Sequence, residues 1–313
     1  MSDQAPSSVL MIRPASFGFN IQTQESNTFQ KKNHQEENGK VISMAIREFD
    51  RMVRELKDAG VRVIVFNDSP LPVKPDSVFP NNWVSFHHDG TVVLYPMMAE
   101  NRRTERRADI LNVLQKKYHF DLSRIVDLSE FENGRRFLEG TGSIVFDYMS
   151  GLAYASLSPR TDEQVLEVLC GETGFKPFVF HAVDRNGTPL YHTNVMMCIG
   201  TGYAVVCLES IREETERKKL AESLKKTDHE IVDISIGQMN AFAGNMIELK
   251  GRSRKRLLVM SKNAYKSLKP MQENLLTKYT SLVAADIPVI EQTGGGSVRC
   301  MIAGIFLPEF RDA

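Results

Sequence analysis

The sequence predicts an α/β protein, a five-bladed α/β propeller of ββαβ units with pseudo-fivefold symmetry. Three observations predict this fold: five pairs of short apolar runs, glycine in the link within each pair, and a charged helix-period stretch followed by a β-branched run after four of them. Glycine adopts the positive φ angles of tight hairpin turns without a side-chain penalty. Units of this size cannot each bury a core, so we expect the five to share one.

Each pair of apolar runs is typical of a hairpin. The predicted hairpins span residues 83–95, 143–155, 194–207, 245–260 and 298–307. Because inner hairpins converge on the axis of such a propeller, the residues that begin them are expected to meet at one central site.

Helix periodicity and β-branched runs complete the units. The predicted helices span residues 41–59, 102–117, 162–169, 211–225 and 262–279. The strands that follow them are predicted at residues 62–66, 124–126, 178–180, 230–236 and 284–290. The helix near the N-terminus then belongs to the same unit as the last hairpin.

The repeat argues for one domain, although a length of 313 residues alone suggests two. We therefore expect residues 1–313 to form a single catalytic propeller domain. Residues 1–7 are interpreted as a flexible tail. The polar residues 22–39 are interpreted as a loop or lid.

Composition favours a small-molecule partner. The chain carries 39 Lys+Arg against 39 Asp+Glu, so its formal net charge is zero. With no net charge, the protein has no overall electrostatic field that would attract nucleic acid or an anionic membrane surface. The N-terminus lacks a basic segment followed by an apolar one, and no apolar run is long enough to span a membrane. These features predict a cytoplasmic protein without nucleic-acid or membrane partners and leave a homo-oligomer open.

Cysteine usage fits a reducing compartment. The four cysteines show no Cys-x-x-Cys spacing and no histidines at zinc-ligand distance, so neither a metal nor an organic cofactor is expected. Cys170 lies in a helical pattern, and Cys198 and Cys207 lie in apolar strands. A structural role is the interpretation for these three.

Cys300 is different because it follows Gly294-Gly295-Gly296-Ser297. A bare backbone lets a substrate approach and can direct amide donors to one point, where a thiolate would be stabilised. The alternative is a small buried hydrophobic residue in a terminal strand. The glycine run and the hairpin position favour a nucleophile.

Two further hairpin starts offer the groups that a thiol nucleophile requires. His192 stands where a proton acceptor and donor would be placed, although a lone histidine is more often structural. Glu139 stands among small residues, where a carboxylate would be partly desolvated, or else is an exposed loop acid. Nucleophile, acid-base and carboxylate thus come from three different units.

Five short motifs stand in order along the chain. They are Phe79-Pro80-Asn81-Asn82, Glu139-Gly140-Thr141-Gly142, Ser158-Pro159-Arg160-Thr161, His192-Thr193-Asn194, and the glycine run that ends in Cys300-Met301. Together they resemble the guanidino-group-modifying superfamily of arginine deiminases, amidinotransferases and dimethylarginine hydrolases, the penteins with a five-bladed α/β propeller. The resemblance covers residues 10–308, and it looks closest to the branch of citrulline-utilisation hydrolases.

The resemblance implies roles for individual residues. Cys300 corresponds to the nucleophile, His192 to the general acid-base and Glu139 to the acid that holds the substrate. Arg160 corresponds to the partner of the substrate α-carboxylate. Asn81 falls within the motif that binds substrate.

The departures from the family pattern indicate the substrate. Two aspartates that grip a guanidinium in deiminases are replaced by Asn82 and Asn194. A guanidinium is a fixed cation best held by carboxylates, and burying it opposite neutral amides would cost roughly 3 to 5 kcal/mol. A neutral ureido group can be matched by the NH₂ and C=O of asparagine.

The sequence therefore predicts a cysteine-nucleophile hydrolase that converts citrulline to ornithine, carbon dioxide and ammonia. One alternative is an arginine deiminase-like or dimethylarginine hydrolase-like enzyme, or an amidinotransferase, acting on a guanidino substrate. An alternative of another class is a non-catalytic binding protein with the same fold, as in ribosome anti-association factors of similar architecture.

Overall fold

A computed structural model describes residues 3–31 and 38–310. Within these ranges the chain forms fifteen strands and ten α-helices. The strands are β1 (Ser8–Arg13), β2 (Arg62–Asn67), β3 (Val84–Phe86), β4 (Thr91–Leu94), β5 (Arg124–Asp127), β6 (Val145–Asp147), β7 (Leu152–Ser156), β8 (Lys176–Phe180), β9 (Met197–Gly200), β10 (Tyr203–Val206), β11 (Glu230–Asp233), β12 (Ile247–Lys250), β13 (Arg256–Ser261), β14 (Ser281–Ala285) and β15 (Ala303–Ile305). The helices are α1 (Asn38–Asp58), α2 (Glu100–Arg103), α3 (Ala108–Tyr118), α4 (Gly140–Ser143), α5 (Glu163–Thr173), α6 (Glu214–Lys226), α7 (Ile236–Asn240), α8 (Lys262–Ser267), α9 (Pro270–Thr277) and α10 (Pro288–Gly294).

The strands form five separate three-stranded mixed sheets. Their orders are β15-β1-β2, β3-β4-β5, β6-β7-β8, β9-β10-β11 and β12-β13-β14, named here sheets 1 to 5. In every sheet the first two strands are antiparallel and the last two are parallel. The predicted α/β class and the five repeated units are therefore confirmed.

The predicted fifth hairpin is wrong, as the pairing in sheet 1 shows. Residues 298–301 form a turn, in which the amides of Cys300 and Met301 bond to the carbonyl of Ser297. With those amides satisfied locally, β15 pairs instead with β1, for example Val9 with Gly304. The fifth unit is thus assembled from both ends of the chain.

Two other predicted elements differ from those in the structure, in each case at a proline. The strand predicted at residues 284–290 ends at Ala285, because Pro288 begins α10. The helix predicted at residues 262–279 divides into α8 and α9, and Pro270 begins α9. Proline lacks an N–H and is tolerated in the first turn of a helix, where that donor has no partner anyway.

The predicted flexible tail is wrong for its described residues. Gln4 is buried and donates to the carbonyls of Phe146 and Ile199, and its Oε1 accepts from the amide of Tyr148. A side chain with three hydrogen bonds to two other sheets fixes this segment. Residues 1–2 lie outside the described residues.

The predicted loop at residues 22–39 is partly corrected. Residues 38–39 begin α1, and residues 32–37 lie outside the described part. A short 3-10 turn (Ile21–Thr23) and further turns carry the chain to Lys31, whose amide bonds to the carbonyl of Gln292.

Neighbouring sheets share apolar cores. Sheets 1 and 2 share a cluster that includes Leu10 and Trp83, and sheets 2 and 3 share one that includes Tyr95 and Ala153. A third cluster joins sheets 3, 4 and 5, and a fourth joins sheets 5 and 1. Such burial contributes about 25 cal/mol per Å² of apolar area removed from water. In the described part of the chain, no helix has the length and apolar content to cross a bilayer.

Candidate active site

Residues from the hairpin starts surround one small cavity. It has a volume of about 10 Å³, too small for any amino acid. The lining residues are Asn27, Asp76, Phe79, Asn82, Arg102, Arg160, Tyr191, His192, Gly294, Gly295, Gly296 and Cys300. Of the predicted site residues, the cavity brings together Cys300, His192, Asn82 and Arg160.

Short helical turns position these side chains just before the inner strands. A 3-10 turn (Pro80–Asn82) precedes β3, α4 precedes β6, and another 3-10 turn (Thr193–Val195) precedes β9. Pro80 opens the first of these turns, where its fixed φ suits a helical start. The expectation that residues at the hairpin starts meet is confirmed by their mutual hydrogen bonds.

Cys300 is buried, and its sulfur faces two amide side chains. Asn194 Nδ2 lies 3.5 Å and Asn245 Nδ2 3.3 Å from Cys300 Sγ. The glycine run has mainly a packing role, since a Cβ at Gly294 or Gly296 would overlap the ring of Phe79. The donors at the sulfur are therefore side chains of other units.

His192 and Glu139 form a buried pair. His192 Nε2 lies 2.8 Å from Glu139 Oε2. Burial lowers the pKa of His192 to about 4, against the raising effect of Glu139. The imidazole is thus neutral at pH 7, with Nε2–H donated to Glu139 and Nδ1 left as an acceptor.

Glu139 is fully buried yet ionised. Burial acts to raise its pKa, but the charge of Arg160 and the bond from His192 hold that pKa well below its usual range. Arg160 Nη1 donates to Glu139 Oε2 at 3.3 Å, and the amide of Met98 donates to Oε1 at 3.0 Å. The carboxylate therefore orients the imidazole and links it to the arginine.

Arg160 lies between this pair and the segment that covers the cavity. Its Nη2 donates to Ser26 Oγ at 2.5 Å, and its guanidinium lies 5.1 Å from the centre of the Tyr191 ring. Asn27 Nδ2 donates to the carbonyl of Gly294 at 3.2 Å. Ser26 thus contacts Arg160, and Asn27 lines the cavity and contacts the glycine run. A lid role for this segment stays a prediction.

A second buried cluster lies on the same wall. Arg102 donates to both carboxylate oxygens of Glu105, at 3.0 and 2.9 Å, and to Asn82 Oδ1 at 2.9 Å. Asp76 accepts from Asn20 at 2.7 Å through Oδ2, while its buried Oδ1 has no partner. Burial raises the pKa of Asp76, and the charge of Arg102 opposes this.

The three predicted asparagines are placed differently. Asn82 lines the cavity, and Asn194 contacts the Cys300 sulfur and has a buried Oδ1 without a partner. Asn81 is fully buried but is not among the cavity-lining residues, and neither polar atom of its side chain has a partner. Its role in substrate binding stays a prediction.

Four contributors were missed in the sequence. Asn245 stands at a hairpin start, so its position was the available signal. Arg102 lies in a charged helical stretch that resembles a solvated surface, and Asp76 and Ser26 lie in irregular polar segments without periodicity. Within residues 3–31 and 38–310, no three His, Cys, Asp or Glu side chains are grouped to hold a metal ion.

A family model described as N,N dimethylarginine dimethylhydrolase, eukaryotic, matches residues 13–307. None of the curated protein sequences matches the chain.

Several solved structures have a similar fold. One is apo ArgZ, described as an arginine dihydrolase from the ornithine-ammonia cycle in cyanobacteria, with a TM-score of 0.73 and 15% identity over 97% of this chain. This chain covers 41% of that ArgZ chain, so it spans about two fifths of its length.

The N-terminal domain of ArgZ bound to product matches over 96% of this chain and 99% of its own, with a TM-score of 0.71 and 15% identity. A mutant of DDAH from Pseudomonas aeruginosa, complexed with citrulline, matches over 96% of this chain and 99% of its own, with a TM-score of 0.64 and 13% identity. At these identities the likeness establishes the fold.

Proposed function

We propose that this chain, which belongs to the family of eukaryotic N,N-dimethylarginine dimethylhydrolases, hydrolyses the ureido group of citrulline with Cys300 as nucleophile. The matching family model and the proteins of similar fold belong to the superfamily that the sequence motifs resemble. The protein is a hydrolase of C–N bonds. Citrulline as substrate is our proposal.

The observation that carries the proposal is the opposite orientation of two amides. Arg102 can only donate, so its contact occupies Asn82 Oδ1 and leaves the NH₂ of Asn82 as a donor. One N–H of that group already donates to the carbonyl of Glu139 at 3.4 Å, and the other is the donor that we assign to the substrate. Asn194 directs its NH₂ to Cys300, so its unpaired Oδ1 is an acceptor. A ureido group supplies the matching carbonyl and N–H, whereas a guanidinium has no acceptor for Asn82.

The charged side chains at the cavity suit a zwitterionic amino acid. Arg160 is a guanidinium that can exchange the hydroxyl of Ser26 for a substrate carboxylate, which binds it more strongly. The unpaired Oδ1 of Asp76 is an acceptor for the α-ammonium group. A cavity of about 10 Å³ must widen before substrate enters, and we propose that residues 23–31 move to allow this.

The proposed reaction has two stages at Cys300. His192 takes the thiol proton, Sγ attacks the ureido carbon, and one C–N bond breaks as that proton passes to the leaving nitrogen. His192 then takes a proton from water, whose oxygen attacks the same carbon and displaces the sulfur. This releases a carbamic acid, which loses carbon dioxide as its remaining C–N bond breaks. Citrulline and water thus give ornithine, carbon dioxide and ammonia, and the atoms balance.

A guanidino substrate is the second candidate. It is favoured by the family's name and by the buried carboxylates of Asp76 and Glu139, which could offset a substrate cation. Amidino transfer would differ only in the nucleophile of the second stage. The alternative of a non-catalytic binding protein is disfavoured, because Cys300, His192 and Glu139 are all present.

The proposal includes a closed five-bladed arrangement of the sheets. The four shared cores, which join sheet 1 to 2, 2 to 3, 3 to 4 to 5, and 5 back to 1, support it. A cytoplasmic location and a homo-oligomer stay predictions.

Citrulline labelled with ¹⁴C in the ureido carbon tests the function. We expect equal amounts of labelled carbon dioxide, ornithine and ammonia from the purified chain, and none from the Cys300→Ala variant. Arginine, methylated arginines and agmatine are assayed alongside. Formation of citrulline from a guanidino substrate, with no ornithine from citrulline, would contradict the proposal.

A further inference from the structure

Asn245 is a buried residue that no motif marks as functional and that touches the nucleophile. It lies between α7 and β12, at the start of the fourth hairpin. Its Nδ2 lies 3.3 Å from Cys300 Sγ and donates to the carbonyl of Asn194 at 3.1 Å. Both hydrogens of this NH₂ group are therefore used.

The amide of Asn245 has one possible orientation. Its Oδ1 accepts from the amide of Arg299 at 3.1 Å. In the flipped amide, Oδ1 would face the carbonyl of Asn194 and NH₂ would face the N–H of Arg299, so like groups would oppose each other. The main chain beside Cys300 thus directs an N–H of Asn245 at the sulfur. The protonated thiol can in turn donate to Asn245 Oδ1 at the longer distance of 3.7 Å, a contact that the thiolate does not make.

In the resting site, before His192 takes the thiol proton, no charge on the imidazole favours the thiolate form of Cys300. The imidazole bonds to Glu139, and burial lowers its pKa to about 4, so it is neutral near pH 7. In cysteine hydrolases activated by an ion pair, an imidazolium or another cation stabilises the thiolate. Here the groups in direct contact with the sulfur are the two amides.

We propose that Asn245, assisted by Asn194, is a catalytic residue that stabilises the Cys300 thiolate by direct N–H donation. A thiolate accepts hydrogen bonds far better than a thiol, so two donors fixed on the sulfur favour the charged form. The inference deepens the proposed hydrolase function and rests on Cys300 as its nucleophile, but not on citrulline as the substrate.

The side chain of Arg299 is a buried cation next to Cys300 in the chain. It donates to the carbonyl of Ile302 and makes no ion pair within the described part of the chain. Burial lowers the pKa of Arg299, and the neighbouring Cys300 opposes that shift. The other titratable or charged groups around Cys300 are Asp76, Arg102, Glu139, Arg160, Tyr191, His192 and Cys198.

The test is the pH dependence of Cys300 alkylation by iodoacetamide, read on the Cys300 peptide by mass spectrometry. The variants are Asn245→Asp, which keeps the shape but replaces the donor by an acceptor, and Asn245→Ser, which is too short to reach the sulfur. We expect the apparent thiol pKa to rise by about one unit or more in both. Alkylation at neutral pH should slow by about tenfold.

Asn240→Asp is the matched control, because it adds the same charge in the same unit at an exposed residue. Its Cys300 thiol pKa should equal that of the wild type. A thiol pKa unchanged in a cooperatively folded Asn245→Asp variant, or in Asn245→Ser if the first does not fold, would overturn the inference. Alkylation needs no substrate, so a failure of citrulline hydrolysis leaves this result interpretable.

Discussion

The two ends of the candidate site differ in charge. Around Arg160, Asp76 and Arg102, the wall carries opposite charges. Around Cys300, the direct contacts are the neutral amides of Asn194 and Asn245. Charges suit the zwitterionic end of an amino acid, whereas oriented amides suit a neutral group that both donates and accepts.

This difference also separates binding from chemistry. At the charged end, Arg160 donates to Ser26 Oγ and to the carbonyl of Thr23, both within residues 23–31. The amide end is built from hairpin starts that contact one another in the core. Changes at the reaction end should therefore lower kcat, and changes at the charged end should raise KM.

The largest expected effect is at Cys300. Cys300→Ala should abolish turnover and leave the fold intact, because it removes only one sulfur atom from the site. Binding of citrulline should persist, as calorimetry can measure. Cys198→Ala is the control, since Cys198 lies in β9 and does not line the cavity. Full activity of Cys300→Ala would reject the nucleophile assignment.

A smaller loss is expected at Glu139. Glu139→Gln removes the charge that raises the pKa of His192 and the acceptor that orients its ring. The loss in kcat should be about 10²-fold to 10⁴-fold, the usual contribution of a positioned acid-base group. Steady-state kinetics would show this, and a rise in KM with unchanged kcat would assign Glu139 to binding instead.

Burial of His192 leads to a prediction about how the stability of the fold depends on pH. The pKa of His192 is lowered to about 4 in the folded protein, from about 6.5 when unfolded. The unfolded chain therefore binds more protons between these values, and stability contributed by His192 is lost as the pH falls from about 6.5 to about 4. His192→Gln should flatten that part of the stability profile in urea titrations.

At the charged end, Arg160→Gln should raise KM for citrulline by about tenfold to a hundredfold, because a bidentate contact with the α-carboxylate is lost. Its kcat should change less. Decarboxylated analogues should be little affected by the substitution. Arg136→Gln, a substitution of an arginine that bonds Gln164 at the surface, is the control. If wild-type enzyme turns over such analogues as well as the amino acids, Arg160 does not bind the carboxylate.

Periodicity explains what the sequence could predict. Glu139, His192 and Cys300 stand at equivalent points of a repeat, so their meeting followed from the repeat alone, and the His192–Glu139 contact confirms it. The fifth unit could not be derived this way, because β1 lies nearly 300 residues from its partner β15 and the intervening turn uses the amides of the expected strand.

The missed residues lack a periodic signal. Arg102 has the sequence context of an exposed helix, yet Glu105 and Asn82 neutralise and orient it in the interior. Gln4 stands in a polar segment without periodicity, yet three hydrogen bonds bury it. Both depend on partners distant in the chain, so only the tertiary structure reveals them.

The selectivity between citrulline and arginine tests the central claim most directly. Each missing charge-assisted contact to a guanidinium costs about 1.5 to 3 kcal/mol, so kcat/KM for citrulline should exceed that for arginine by some orders of magnitude. In the double variant Asn82→Asp with Asn194→Asp, citrulline turnover should fall and arginine binding should improve. Steady-state kinetics of both proteins on both substrates is the measurement, and a wild-type preference for arginine would contradict the account.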